Sequence, residues 1–218
     1  MQTDTLVQNL AADLLPVRRL PPPWVRFGWW LLVSAPAVGV VALLFGLRPD
    51  LGARFADPVF VIEEAAALAT ALTGAYAALC AGLPDRPDWK IWVPLVPMMV
   101  WLGSLGTQCL DVALRVGPQG LAVTSDPMCV PAVALGGLIP AVAIFVQLRR
   151  GGRFRSTHAC LCGALGAAAL AGAALRLYHP EDAAIMVIVW QFGSVALLSL
   201  AAGAVGRLLL AMPARGAA

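Results

Sequence analysis

Residues 27–47 read FGWWLLVSAPAVGVVALLFGL, a run without a single charged side chain. A helix needs roughly 20 mainly apolar residues to cross the ~30 Å hydrocarbon core of a membrane, since it rises ~1.5 Å per residue. The run therefore predicts a membrane-spanning helix. Five more apolar runs follow at 59–83, 91–110, 127–148, 157–175 and 183–210.

The composition agrees with this interpretation. The 218 residues are 60% hydrophobic and 12% charged, with a mean hydropathy of +0.82. Such a chain has too little polar surface to cover a water-soluble globule. The longest connection, 111–126, is too short for a folded domain. We predict an all-α polytopic protein, with a tail at 1–26, a six-helix transmembrane bundle at 27–210 and a C-terminal tail at 211–218.

The positions of Lys and Arg predict the orientation, because cytoplasmic flanks of membrane helices hold the excess of these residues. With the N-terminus inside, eleven of the fifteen basic residues fall on cytoplasmic flanks. The other four basic residues fall on the outer side: Arg48, Arg54, Arg115 and Arg176. Eight acidic residues fall on that side as well. We therefore expect both termini in the cytoplasm and the first span as an uncleaved anchor.

Two function classes are disfavoured. The net charge of +3 is spread over the membrane flanks, so topology explains it and direct nucleic-acid binding is not expected. No pattern pairs a nucleophile with a base, cradles a phosphate or sets two carboxylates around a substrate, so we do not expect an enzyme.

The N-terminal tail predicts a short amphipathic helix. Thr5 and Gln8 fit a weak capping box. Leucines recur at a helical spacing at Leu6, Leu10 and Leu14. Val7 and Ala11 widen the apolar face that these leucines form. This face needs either the membrane interface or a groove on a partner. The scarcity of basic residues on the polar face favours a partner.

The end of the tail predicts a spacer. Pro16 should stop the helix, and Pro21–Pro23 should form an extended polyproline segment before the membrane. Tryptophans at the start of the first run are typical of a membrane interface: Trp24, Trp29 and Trp30.

Two features of the spans concern packing and charge. Gly163, Gly166 and Gly172 give the fifth run a small-residue face, which suits a central position. Glu63 and Glu64 lie about one turn inside the second run. They either face the outer loops, cap the helix near Asp57 or form a cation site.

Five cysteines are the main candidates for chemistry. Cys109 and Cys129 fall at the outer ends of adjacent runs, near acids and one imidazole: Asp111, Asp126, His179, Glu181 and Asp182. They are packing residues, a disulfide, or part of a site that senses metal or oxidant. At the inner side, Cys80, Cys160, Cys162 and His158 are expected to serve packing only.

Several stretches together resemble the NrsF family of bacterial anti-sigma factors. They are LAADLLPVRRLPPPW at 10–24, GLRPDL followed by ADP after the first run, DPMCVP before the fourth, LRRG after it, and HPED with Trp190 at the sixth. The resemblance covers nearly the whole chain. It implies a six-span inner-membrane protein that holds an extracytoplasmic-function sigma factor inactive, with that sigma factor and the lipid bilayer as partners.

The resemblance also implies residue roles. Cys129 matches the family's periplasmic cysteine, while His179 stands where we expect a second cysteine before PED. A disulfide between those two places is then impossible here. Either Cys129 and His179 hold a transient metal ion, or Cys109 stands in, or the response is lost or different.

For the sigma factor, the implied contact is the tail, together with the basic loop at 149–155. We predict as contact residues Leu6, Val7, Leu10, Leu14, Arg18 and Arg19. Apart from the transient metal ion, no cofactor is expected. Two other functions stay open, a small cation transporter entered through Glu63 and Glu64, and a structural membrane subunit whose tail docks a soluble partner.

Overall fold

The computed structural model describes residues 3–12, 20–123, 129–151, 154–179 and 183–211. Within these residues the chain is helical without strands, and six helices are long and apolar enough to cross a membrane. The all-α fold class is confirmed. Several predicted residues lie outside the described residues: Leu14, Pro16, Arg18, Arg19, Asp126, Glu181 and Asp182.

The N-terminal helix covers Thr3–Ala12. The six spans, numbered in chain order, are Pro23–Phe45, Pro58–Ala81, Asp88–Val116, Cys129–Arg149, Ser156–Tyr178 and Ala184–Leu210. A short helix at Leu51–Phe55 precedes the second span. The third begins with a 3-10 turn at Asp88–Ile91 and continues as Leu95–Val116. The sixth contains a π-helical segment at Val187–Phe192 between Ala184–Met186 and Gly193–Ala211.

Short connections join consecutive spans, so the spans alternate in direction and the bundle has two ends. We call one the Glu63 end; it holds residues 46–57, 111–123, 176–179 and 183–186. We call the other the Arg26 end; it holds residues 20–26, 82–92, 147–151, 154–158 and 207–211. A salt bridge between Arg155 and Asp88 ties the start of the fifth span to the third at the Arg26 end, and this contact raises the pKa of the Arg155 guanidinium.

Two helices extend beyond their predicted runs, the first by four residues at its start and the third by six at its end. The first span begins at Pro23, not at residue 27, because proline lacks an N–H and has a fixed φ, which suits the first helical position. The predicted spacer therefore loses its third proline. The third span continues to Val116, where Arg115 pairs with Asp111 one turn earlier at 2.7 Å, so the loop predicted at 111–126 is shorter.

The fifth span lies at the centre of the bundle, as its glycines predict. It packs against the second, fourth and sixth spans and is the most buried of the six. The closest approach is to the second span, where a Cβ on Gly166 would stand 2.7 Å from Ala75 N and 2.9 Å from Ala71 O. Helices this close need glycine at the contact.

Large apolar side chains cover the outside of the bundle, as expected of helices that face lipid rather than water. Trp24 and Trp29 are exposed, in agreement with a place at the interface. Trp30 is not an interface residue. It is fully buried, and its indole N–H donates to Pro140 O at 3.0 Å, which ties the first span to the fourth.

Candidate functional site

The N-terminal helix has exposed apolar side chains at the positions the structure describes. It forms the ten-residue helix that the sequence predicts, and it makes no extensive packing contact with the spans among the described residues. Val7 is 58% exposed, and Ala11 on the same face is exposed too. The side chains of Leu6 and Leu10 lie outside what the structure describes. Of the predicted contact residues, the structure therefore describes the side chain of Val7 alone, and its contact with a partner stays a prediction.

A small cavity at the Glu63 end brings together two of the predicted sensing residues. Cys129 and His179 both line it, although they lie on different spans. The volume is about 10 Å³, which is room for one water molecule or one ion rather than an organic ligand. Met186 lines the same cavity and adds a thioether to the thiol and the imidazole. Such ligands suit soft or borderline metal ions.

Each of these side chains is placed by the end of a helix. Cys129 is the first residue of the fourth span and is buried. His179 follows the last turn of the fifth span, and its N–H donates to Leu175 O at 2.8 Å. Met186 lies in the first turn of the sixth. Three helix ends thus meet at the cavity.

The loop after the first span fixes the backbone at His179. Arg48 is buried there, its N–H donates to Leu177 O at 3.0 Å, and its guanidinium donates to His179 O at 3.4 Å. The same guanidinium binds both Asp50 oxygens, at 2.6 and 2.9 Å. These bonds lower the pKa of Asp50 to about 2. Asp50 therefore stays charged and keeps Arg48 in place.

A buried ion pair lies beside the cavity. Arg176, which also lines the cavity, donates to Glu63 at 2.7 Å, and the two side chains are only 4% and 2% exposed. Ser104 Oγ lies 3.3 Å from the Glu63 carboxylate and Gln108 also donates to it, both from the third span. Glu63 thus connects the second, third and fifth spans.

This pair corrects two expectations. The predicted fifth run stops at residue 175, but Arg176 lies inside the fifth span, with its guanidinium 4.6 Å from the ring centre of Phe60. Neither glutamate caps the second span, because Asp57 does so by accepting from Val59 N at 3.0 Å. Glu64 is also buried, and its Oε2 has no hydrogen-bond partner among the described residues.

Cys109 does not line the cavity. It is half-buried on the third span and packs against the core. None of the five cysteines, all of which the structure describes, is disulfide-bonded. Within the described residues no three His, Cys, Asp or Glu side chains cluster as a metal site would require. The metal site at Cys129 and His179 stays a prediction, and so does the substitute role of Cys109.

The inner cysteines occupy packing positions. Cys80 and Cys160 are buried, and Cys162 is half-buried with its thiol 3.7 Å from Ile91 O. The sulfur of Cys160 lies close to Gly206, because a Cβ built on that glycine would stand only 3.2 Å from the sulfur. These contacts fit the predicted role of the inner cysteines in packing.

The sequence did not predict the positions of Met186 and Arg48 or the salt bridge between Arg176 and Glu63. Met186 gave no signal because one methionine in an apolar run is usually core. The sequence places Arg48 and Arg176 on the outer side, but it does not predict their partners, because these depend on how the helices pack. The charge of Glu63 inside a span was the one available hint, because such a charge requires a partner.

Comparison with known proteins gives one match. The model of a family described as NrsF, negative regulator of sigma F, matches residues 10–211, nearly the whole chain. No curated protein and no solved structure matches the chain significantly.

Proposed function

Because the chain belongs to the NrsF family of negative regulators of sigma F, we propose that it is a membrane-bound anti-sigma factor for an extracytoplasmic-function sigma factor. It would lie in the bacterial inner membrane with both termini in the cytoplasm, as the excess of basic residues at the Arg26 end supports. The Glu63 end would then face the periplasm. The protein would act by binding alone, without catalysis.

The observation that carries this proposal is the exposure of Val7 and Ala11 on the apolar side of the N-terminal helix. A ten-residue amphipathic helix is marginal by itself in water, so it gains stability from a surface that covers its apolar side. Val7 and Ala11 offer such a side, and the bundle does not cover it. A groove on the sigma factor is the occupant that a family of sigma regulators supports.

Inhibition then needs no chemical step. A sigma factor held at the membrane by this helix cannot present the same surface to RNA polymerase or promoter DNA. The wider contact set would include Leu6, Leu10, Leu14, Arg18, Arg19 and the basic loop at 149–155.

Release would begin at the cavity of Cys129, His179 and Met186. A soft metal ion bound there would add bulk and charge to a space of about 10 Å³. A peroxide that transfers one oxygen to the Cys129 thiol, giving a sulfenic acid and releasing water or an alcohol, would add bulk there too. Arg176 forms part of the wall, so the change would act on its bond with Glu63. A signal that favours the releasing arrangement by ~3 kcal/mol weakens binding about a hundredfold.

Sigma-factor binding is tested by co-purification of the full-length protein with the sigma factors of its own cell. Val7→Asp places a carboxylate in the apolar contact, so we expect binding to weaken at least tenfold, because an unpaired charge is costly to bury. Gln8→Asp puts the same charge on the other side of the helix and should bind as the wild type does.

Two results would contradict the proposal. If the full-length protein retains no sigma factor, the anti-sigma function is wrong. If Val7→Asp and Gln8→Asp bind equally well, the sigma factor does not contact this face of the helix.

A further inference from the structure

A second, larger cavity lies between the first and fourth spans at the Arg26 end. Its volume is about 510 Å³. Apolar side chains from both spans line the part farther from the end of the bundle: Val33, Ala143 and Val146. Arg26 and Arg150 line the part nearest the end of the bundle. The cavity therefore combines a cationic portion with an apolar portion that runs along the spans.

Arg26 is an unusual residue for such a position. It is 6% exposed, and it donates to Gln147 O at 2.5 Å at the end of the fourth span. Within the described part of the chain it makes no ion pair, although a guanidinium carries five N–H donors. A charge taken out of water without an opposite charge is costly. An anion in the cavity would supply that charge.

The surroundings favour an anion as well. None of the described residues that line the cavity is acidic, and the side chain of Arg150 adds a second, exposed guanidinium. Trp29 lines the cavity and is also exposed, as expected of a side chain at the level of lipid headgroups. Basic pockets between membrane helices are typical sites for anionic headgroups.

We infer that this cavity binds one anionic phospholipid, its phosphate held by Arg26 and Arg150 and one acyl chain lying along Val33, Ala143 and Val146. The apolar portion distinguishes a lipid from inorganic phosphate, which would leave that portion empty. The inference requires the bundle to lie in a membrane, but it does not depend on a sigma factor.

Native mass spectrometry of the full-length protein, released from detergent micelles, tests the site. The probes are phosphatidylglycerol, phosphatidylcholine with the same acyl chains, and inorganic phosphate. We expect the wild type to retain one phosphatidylglycerol in preference to phosphatidylcholine. Arg150→Gln should lower the retained phosphatidylglycerol about fivefold, which is the usual effect of one basic residue near a lipid surface.

Two variants separate the site from general charge effects. Arg149→Gln removes the adjacent basic residue, which does not line the cavity, and should retain phosphatidylglycerol as the wild type does. Ala143→Trp leaves every charge in place but fills the apolar portion, so it should also lower retention. Arg150 is exposed, so loss of its charge does not threaten the fold.

Three outcomes would overturn the inference. In the first, phosphatidylcholine is retained as well as phosphatidylglycerol. In the second, Arg150→Gln and Ala143→Trp both retain phosphatidylglycerol normally. In the third, the wild type retains inorganic phosphate but no phosphatidylglycerol, which would show a site for a small free anion. Because no sigma factor is present, failure here leaves the anti-sigma proposal untouched.

Discussion

The Glu63 carboxylate accepts hydrogen bonds from side chains on two other spans. Arg176 comes from the fifth span, and Ser104 and Gln108 come from the third. In a bundle whose core is mainly apolar, these bonds are directional contacts that depend on one arrangement of the helices. A single acidic residue thus determines how three spans meet.

Removal of one partner of this pair should destabilise the bundle strongly. Arg176→Gln leaves the buried Glu63 without its opposite charge, and we expect a loss of about 3 kcal/mol or more in the free energy of unfolding. The measurement is reversible unfolding of the purified protein in mixed micelles. Glu63→Gln combined with Arg176→Gln should recover part of the loss, since neither charge then remains buried alone.

The matched control is an exposed pair of the same geometry. Asp111→Asn breaks the contact with Arg115, also at 2.7 Å, but the two side chains are 55% and 76% exposed. Water and salt screen such a pair, so the expected cost is below about 1 kcal/mol. Equal losses in both variants would show that burial of the Glu63 pair carries no special weight.

At the scale of the element, the second and fifth spans form the central pair. Gly74 and Gly166 face each other there, and a Cβ on Gly74 would stand 3.0 Å from Cys162 O and 3.1 Å from Gly166 N. The neighbours at these distances are backbone atoms, which cannot turn away as a side chain can. The distance between the two helices is therefore set by the absence of two side chains.

A methyl group at this contact should force the helices apart. We expect Gly166→Ala to cost about 1–3 kcal/mol in the free energy of unfolding, the usual range for overpacking a close contact. Gly106→Ala is the control, because nothing lies within 4 Å of its Cβ position on the exposed third span. That variant should be neutral or slightly more stable, because alanine favours helices. Unfolding in mixed micelles measures both, and similar values would refute the close contact.

The elements were largely predictable because each rests on local sequence. Six uncharged or nearly uncharged runs decide the spans, and Gly163, Gly166 and Gly172 correctly indicated the central one. The partners were not predictable, because Arg176 belongs with Glu63 only once the second and fifth spans pack together. The candidate site lies between these cases. Cys129 and His179 could be singled out by residue type, but Met186 joined them only through the meeting of three helix ends.

At the scale of the whole molecule, the proposed release mechanism requires that a signal at the Glu63 end reach the tail at the opposite end. The fifth span is the element suited to carry it, because it packs against the second, fourth and sixth spans along its length. Its first residue follows Arg155, which is bonded to Asp88 at the Arg26 end. A shift of Arg176 would thus move a rigid helix that ends beside the basic loop.

We expect the sensing residue to be Cys129 rather than Cys109. Cys129→Ser should reduce induction of the sigma-dependent genes by metal ions or oxidants at least tenfold, because serine is a poor ligand for soft metals and does not oxidise as a thiol does. Cys109→Ser should respond normally, because Cys109 does not line the cavity. A reporter of sigma-dependent transcription measures both.

The reverse pattern would identify Cys109 as the sensing thiol and remove the cavity from the mechanism. Normal induction in both variants would place the sensor elsewhere. Basal repression in uninduced cells serves as the control for folding, because both variants should still hold the sigma factor.

The contacts of the fifth span also set an order of events during synthesis. Gly166 leaves the ribosome about 90 residues after Gly74, which corresponds to some 5–20 s at common elongation rates. Until then the second span has no central neighbour, and Glu63 has no arginine. Ser104 and Gln108 are made earlier and can already bind the carboxylate. The third span can thus supply hydrogen-bond donors to Glu63 before Arg176 is synthesised.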